Sequence, residues 1–233
     1  MLKVGGFTPL STSDWPGQLA AVVFVQGCPW RCHYCHNADL QSREGGQPGG
    51  WMHALGTLAR RKGLLDGVVF SGGEPTLDPD LPDAIEIVRS MGFKVGLHTA
   101  GIYPDRLATI LPALDWIGFD IKTDFDEYEG ITGMPRSGQP AWRSLQSVLH
   151  AVNHDGLQCE VRTTWHPTLH KNDKMLTLAK SLAHLGIHRW VIQPFRQAHL
   201  DDARHTALSA SCEPPSETLL QRLRETGLTI EVR

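Results

Sequence analysis

Six short apolar runs, each followed by a stretch of helical period, set the strongest limit on what this chain can fold into. The runs are residues 20–26 (AAVVFVQ), 66–71 (DGVVFS), 93–99 (FKVGLHT), 116–121 (WIGFDI), 157–164 (LQCEVRTT) and 189–195 (RWVIQPF). Runs this short and this continuously apolar suit strands buried on both faces, as in a parallel sheet. Between them lie helix-like segments at 52–62, 81–91, 105–111, 144–154 and 172–185. In 81–91 the apolar stripe is Leu81, Ile85 and Val88, with Asp80 placed as an N-cap and Pro82 in the first turn. In 172–185 it is Leu178, Leu182 and Leu185, and Gly186 supplies a stop. A last helix is expected over 216–226, before a closing strand over 229–232. The alternation predicts an α/β fold, a parallel sheet with outer helices and right-handed crossovers. With 233 residues, no internal repeat and no low-complexity tract, the chain reads as one domain, 1–233. The segment 45–50 (GGQPGG) looks the most flexible, but is too short for a domain linker.

Function in parallel α/β architectures gathers at the C-terminal ends of the strands. The first run ends in GCPWRCHYCHN, with Cys28, Cys32 and Cys35 in eight positions of a chain that has five cysteines. Three thiolates are one short of a closed tetrahedral site. Zinc could take a fourth ligand from His33 or His36, Cys32 and Cys35 could act as a redox C-x-x-C, or the three could bind an iron–sulfur cluster. The redox reading leaves Cys28 without a task, and zinc finds no second Cys/His pair downstream. The second run ends in SGGEP (71–75), where Gly72 and Gly73 permit close backbone approach and Glu74 adds an acceptor. The third ends in HTAG (98–101), and the fourth in DIK, with Asp120 and Lys122. Arg162, in the fifth run, carries a donor fork suited to a carboxylate, and Gln193 ends the sixth. The plain structural alternatives are an ordinary turn at Glu74, a satisfied histidine at 98, and ion pairs for Asp120, Lys122 and Arg162. His166 and His170 have metal-pair spacing, but Pro167 argues against a shared helical face, and most of the 12 histidines are expected at the surface. Cys159 and Cys212 are expected to be a buried thiol and a loop thiol.

A net charge of −3 gives no support to nucleic-acid binding. No apolar run is long enough to cross a bilayer, and 1–11 (MLKVGGFTPLS) lacks a signal-peptide core, so a cytoplasmic protein is expected. In a reducing compartment clustered cysteines favour metal or catalysis over disulfides.

C-x3-C-x2-C with an aromatic residue, Tyr34, before the last cysteine resembles the signature of the radical S-adenosylmethionine (SAM) superfamily, and the resemblance runs from Val22 to at least Gln193. It implies a partial (β/α)6 barrel. It also implies a [4Fe-4S] cluster on Cys28, Cys32 and Cys35, with S-adenosylmethionine on the fourth iron. Residues implied at the cofactor are Tyr34, Gly72, Gly73, Glu74, His98, Asp120, Lys122 and Arg162, with His98 standing where related activating enzymes carry an Asp. The stretches VGGFTPLSTSDWPGQLAAVVFVQGCPWRCHYCHN, SGGEPTL, FDIKTDFDEYEGITG and EVRTTWHP resemble the activating proteins of anaerobic ribonucleoside-triphosphate reductase. That implies an oxidoreductase which places a glycyl radical on the reductase's catalytic subunit, with flavodoxin or ferredoxin as reductant. Under that reading 45–50 is expected to shape the mouth that admits the partner's loop. Rival readings are activation of pyruvate formate-lyase, a small-molecule enzyme similar to 7-carboxy-7-deazaguanine synthase, and a zinc-stabilised interaction module.

Overall fold

A computed structural model describes residues 1–196 and 213–233. They sort into two compact units, one of Met1–Pro29, Asp39–Phe119 and Pro140–Cys159, the other of Trp30–Ala38, Asp120–Gln139 and Glu160–Arg233. Cys212 lies outside the described residues.

The first unit is built on β1 (Val4–Ser11), β2 (Ala20–Val25), β3 (Gly67–Gly72), β4 (Lys94–Thr99) and β5 (Trp116–Asp120), side by side in chain order. Strands β2 to β5 run parallel, with Val23 opposite Phe70, Phe70 opposite Leu97, and Leu97 opposite Ile117. All four of those side chains are fully buried, which is what continuous apolar runs require. The helices are α1 (Gly50–Ala59), α2 (Leu81–Ser90) and α3 (Pro104–Ile110), and most of α5 (Gly138–His154) belongs here too. In α2 the buried residues are Leu81, Ala84, Ile85 and Val88, the stripe that the periodicity predicts. Asp80 stands at its N-cap position without a side-chain cap bond; its carboxylate meets the chain's amino terminus instead. Trp15 stacks on Trp116 at 5.6 Å, and with Ala20, Val22 and Val69 the pair forms one core cluster.

β1 was not among the predicted strands. It pairs antiparallel with β2 as an edge strand, and VGGFTPLS mixes glycine and proline with apolar residues, so neither period shows. The glycine-rich segment 45–50 is bonded along it: the Gln47 N–H donates to the Val4 carbonyl at 2.7 Å. Of its glycines, Gly46 packs closest on that strand's main chain, where a Cβ would lie 3.2 Å from the Val4 carbonyl oxygen.

In the second unit β6 (Gln158–Trp165), β7 (Arg189–Pro194) and β8 (Thr229–Val232) run parallel in that order, with α4 (Tyr128–Thr132), α6 (Asn172–His184) and α7 (Glu217–Arg224). Gly186 takes φ 79°, the left-handed conformation that ends α6 as expected. Glu160 is buried beneath Arg189 and Arg233, an ionic tie among β6, β7 and the chain end.

Candidate functional site

In the first unit the residues after β3 and β4 are joined by Glu74. Its carboxylate is buried and accepts four hydrogen bonds: from the Thr76 N–H (3.1 Å), the Thr76 hydroxyl (2.6 Å), the Thr99 hydroxyl (2.7 Å) and the Ala100 N–H (3.0 Å). Burial raises its pKa above 4.5, and the four donors pull the other way. The carboxylate thus faces inward and ties two strand ends, leaving main-chain carbonyls as the acceptors a ligand could meet. Gly72 takes φ 118°, and a Cβ there would lie 2.4 Å from the Val25 nitrogen. A Cβ on Gly73 would lie 2.3 Å from the Gly27 carbonyl oxygen, whose peptide leads into Cys28. The Glu74 N–H donates to that same carbonyl at 2.9 Å, and the Cys28 N–H to the Gln41 carbonyl at 3.0 Å. Both glycines are therefore needed for backbone to pack on backbone, and they fix the segment that carries the first cysteine.

His98 bridges Ser71 Oγ (3.2 Å, through Nδ1) and the Asp14 carbonyl (2.8 Å, through Nε2), and meets Trp116 edge-on at 5.4 Å. Nε2 must be the donor to a carbonyl, so the ring is in that tautomer and Nδ1 is left to accept.

The second unit gathers Cys32, Tyr34, Cys35, Asp120, Lys122 and Arg162. Cys32 and Cys35 are half-buried free thiols, and Cys28 is half-buried too. The Cys32 carbonyl accepts the Cys35 N–H at 3.1 Å. Asp120 Oδ1 accepts from Arg162 Nε and lies 2.8 Å from its Nη2, while Oδ2 lies 3.4 Å from Lys122 Nζ. Two cations on one carboxylate make a setting suited to anions. Burial opposes charge on Lys122, yet Asp120 and the Cys32 thiol hold its ammonium above the usual range. Burial pushes the Cys32 thiol up to about 11, with Lys122 opposing and Cys35 and Asp120 adding to the rise. Lys122 Nζ lies 5.7 Å from the Tyr34 ring centre, and Tyr34 stacks on His170 at 6.1 Å. Among the described residues the buried Tyr34 hydroxyl finds no hydrogen-bond partner. A buried orphan phenol beside thiols and cations is the sort of group a bound ligand satisfies. Gln193 lies on β7, half-buried.

Most of the described histidines are exposed, as expected, but His166 and His170 are both buried. Pro167 is compatible with their coming together because it takes the first position of a single turn, where no N–H is required. The His166 N–H donates to His170 Nδ1 at 3.0 Å, so His170 donates through Nε2 to the Lys122 carbonyl at 2.8 Å. Burial lowers the pKa of both, which keeps them neutral. Sequence reasoning also missed Tyr128. Its ring stacks on Phe125 and meets Trp30 edge-on, and its hydroxyl oxygen accepts the Lys122 N–H at 3.0 Å. The only signal in the sequence was an aromatic residue six positions after Lys122.

Three comparisons bear on this arrangement. A protein of Methanocaldococcus jannaschii named as a glycyl-radical enzyme activating enzyme is 29% identical over 199 residues, covering 82% of this chain and 79% of the relative. The pyruvate formate-lyase-activating enzyme of Clostridium pasteurianum is 34% identical over 175 residues, covering 72% and 71%. A radical SAM methyltransferase from Sphaerobacter thermophilus matches in structure with a TM-score of 0.71 over 96% of this chain and 68% of its own, at 17% identity, a likeness of fold. Among the described residues no helix is long and apolar enough to cross a membrane. The model of the radical SAM superfamily matches residues 22–155, a span that takes in all three clustered cysteines, Glu74, Asp120 and Lys122, and by that match over more than half its length the chain belongs to the radical SAM superfamily.

Proposed function

We propose that this enzyme generates a glycyl radical on a partner protein, the catalytic subunit of anaerobic ribonucleoside-triphosphate reductase, in the cytoplasm, with flavodoxin or ferredoxin as reductant. The family implies a [4Fe-4S] cluster and S-adenosylmethionine, and we assign Cys28, Cys32 and Cys35 as the cluster ligands. The donor set fits: thiols on one short loop, with a buried ammonium whose charge opposes the rise that burial causes at Cys32. A cluster held there would supply the electron for reductive cleavage of S-adenosylmethionine, and so the radical chemistry that would remove the glycine's hydrogen atom.

The chain's own residues bind and orient. Arg162 and Lys122, gathered on Asp120, are assigned to the cofactor carboxylate. The main chain at Gly72 and Gly73 is assigned to its amino group, with Glu74 holding that turn from behind. Tyr34 supplies a ring and an orphan hydroxyl on the cluster side. His98 is assigned to the ribose side; its bonds to Ser71 and Asp14 hold the end of β4. The observation that carries this reading is the pairing of Lys122 and Arg162 on Asp120 beside Cys32, a polar group too costly to bury for packing alone.

The test is anaerobic. The protein is reconstituted with iron and sulfide, reduced and given S-adenosylmethionine together with the reductase subunit. Formation of 5'-deoxyadenosine and of a glycyl-radical signal on the subunit is expected. Cleavage without that signal removes this partner, and no cleavage removes the reading. Pyruvate formate-lyase is the second partner to try, favoured by the Clostridium relative.

A further inference from the structure

We infer that Tyr128 is a positioning residue, which sets the main chain of Lys122 and, through α4, the loop that carries Cys32. The inference rests on the assignment of this site to S-adenosylmethionine. Tyr128 is 1% exposed, and its hydroxyl oxygen accepts the Lys122 N–H at 3.0 Å. The carbonyl of Lys122 accepts from His170 Nε2 at 2.8 Å. Both polar groups of the Lys122 main chain are thus held by side chains, which serve as partners where the strand has ended. With its backbone held, the Lys122 side chain reaches Asp120 and the Tyr34 ring from a set origin.

The same tyrosine opens a five-residue helix, α4, too short to be stable by itself. The final carbonyls of such a helix need partners. Here the Ile131 carbonyl accepts the His33 N–H at 3.1 Å and the Thr132 carbonyl the Arg31 N–H at 2.8 Å. Those donors are the residues on either side of Cys32. Trp30, two residues before Cys32, packs its ring edge-on to Tyr128 at 5.9 Å. A buried hydroxyl pair, Thr132 and Ser137 at 2.7 Å, closes the base of the turn that follows. One side chain therefore ties the Lys122 peptide to the helix that brackets Cys32, and it does so without any atom placed at the reacting groups.

The test is Tyr128→Phe, which keeps the ring and removes the acceptor. Amide exchange of the protein without cofactor should show faster exchange at Lys122, with Phe119 unchanged. Iron content should stay close to that of the parent, and the melting temperature should fall by only a few degrees. The concentration of S-adenosylmethionine needed to change the electron-paramagnetic signal of the reduced cluster should rise about three- to tenfold, the usual return on one buried hydrogen bond. Phe125→Leu disturbs the same aromatic stack and spares the hydroxyl; it should lower the melting temperature and leave that concentration alone. Parental exchange at Lys122 together with a parental cofactor titration in Tyr128→Phe would overturn the inference. An equal effect of Phe125→Leu on the titration would also overturn it, since packing alone would then suffice. If the parent cleaves no S-adenosylmethionine, the functional reading fails by itself, and Lys122 exchange still decides what Tyr128 does.

Discussion

At the scale of single residues, the Glu74 carboxyl and the Cys32 thiol are both pushed up by burial. Glu74 is surrounded by four donors, so Glu74→Gln puts an amide N–H₂ against an N–H or hydroxyl. A loss of about 1–3 kcal/mol is expected, measured by urea unfolding of the cluster-free protein. The pH dependence has a definite sign. The folded pKa is raised, so from 4.5 upward the folded chain keeps a proton that the unfolded chain has released. This stabilising share is full below 4.5 and is lost as pH rises through the folded value. The stability gap between parent and Glu74→Gln should narrow with rising pH over that window; a gap that widens would contradict it. Cys32 makes the complementary case. With its thiol pushed up to about 11, alkylation by iodoacetamide in the cluster-free protein should be slow at neutral pH and climb toward that value. Peptide mapping by mass spectrometry would read it, and a labelling midpoint at or below 9 would remove the argument.

At the scale of elements, Gly138 shows what a short connection demands. A Cβ there would sit 1.8 Å from the Phe125 carbonyl oxygen, at the start of α5. Gly138→Ala should destabilise the chain by about 2 kcal/mol or more, read by the same unfolding experiment; parental stability would mean that the 125–138 segment rearranges freely. The comparison with sequence divides along the same line. Strands β2 to β8 were each legible as an apolar run or as the closing strand, because both faces of such strands are covered. β1 was not, since an edge strand with glycines and a proline shows no period. α4 was not, since five residues of YEGIT have little helical preference and depend on their contacts. The predicted 144–154 helix begins earlier, at Gly138, because a glycine and a proline at its start hide the first turn. In the site, the cysteines and the strand-end residues were legible from type and place. Tyr128 and His170 were not. Their work is a hydrogen bond to the main chain of Lys122, and a sequence displays side chains but not which peptide group they reach.

At the scale of the whole molecule, the question is whether metal holds the fold or the fold holds the metal. Small zinc modules are unfolded without their ion because ligand bonds replace a core. This chain has 233 residues, and its apolar interior does not depend on the cysteines. Trp15, Val22, Val69 and Trp116 form one cluster in the first unit, and β6, β7 and α6 bury Val161, Trp190, Ile192, Leu178 and Leu182 in the second. The loop bearing Cys32 is held by the Arg31 and His33 N–H groups on α4, which are ordinary hydrogen bonds. Replacing Cys28, Cys32 and Cys35 together by Ser should therefore leave a cooperatively folded protein. Its circular dichroism should match that of the cluster-free parent, and its melting temperature should lie within a few degrees. The same variant should take up no cluster iron and cleave no S-adenosylmethionine. A folded, inactive variant is what a scaffold with a resident cluster requires. A chain that loses its structure with those three thiols would instead mean that ligation supplies the fold, and the bonds of the Arg31 and His33 N–H groups to α4 could not then be the reason Cys32 sits where it does.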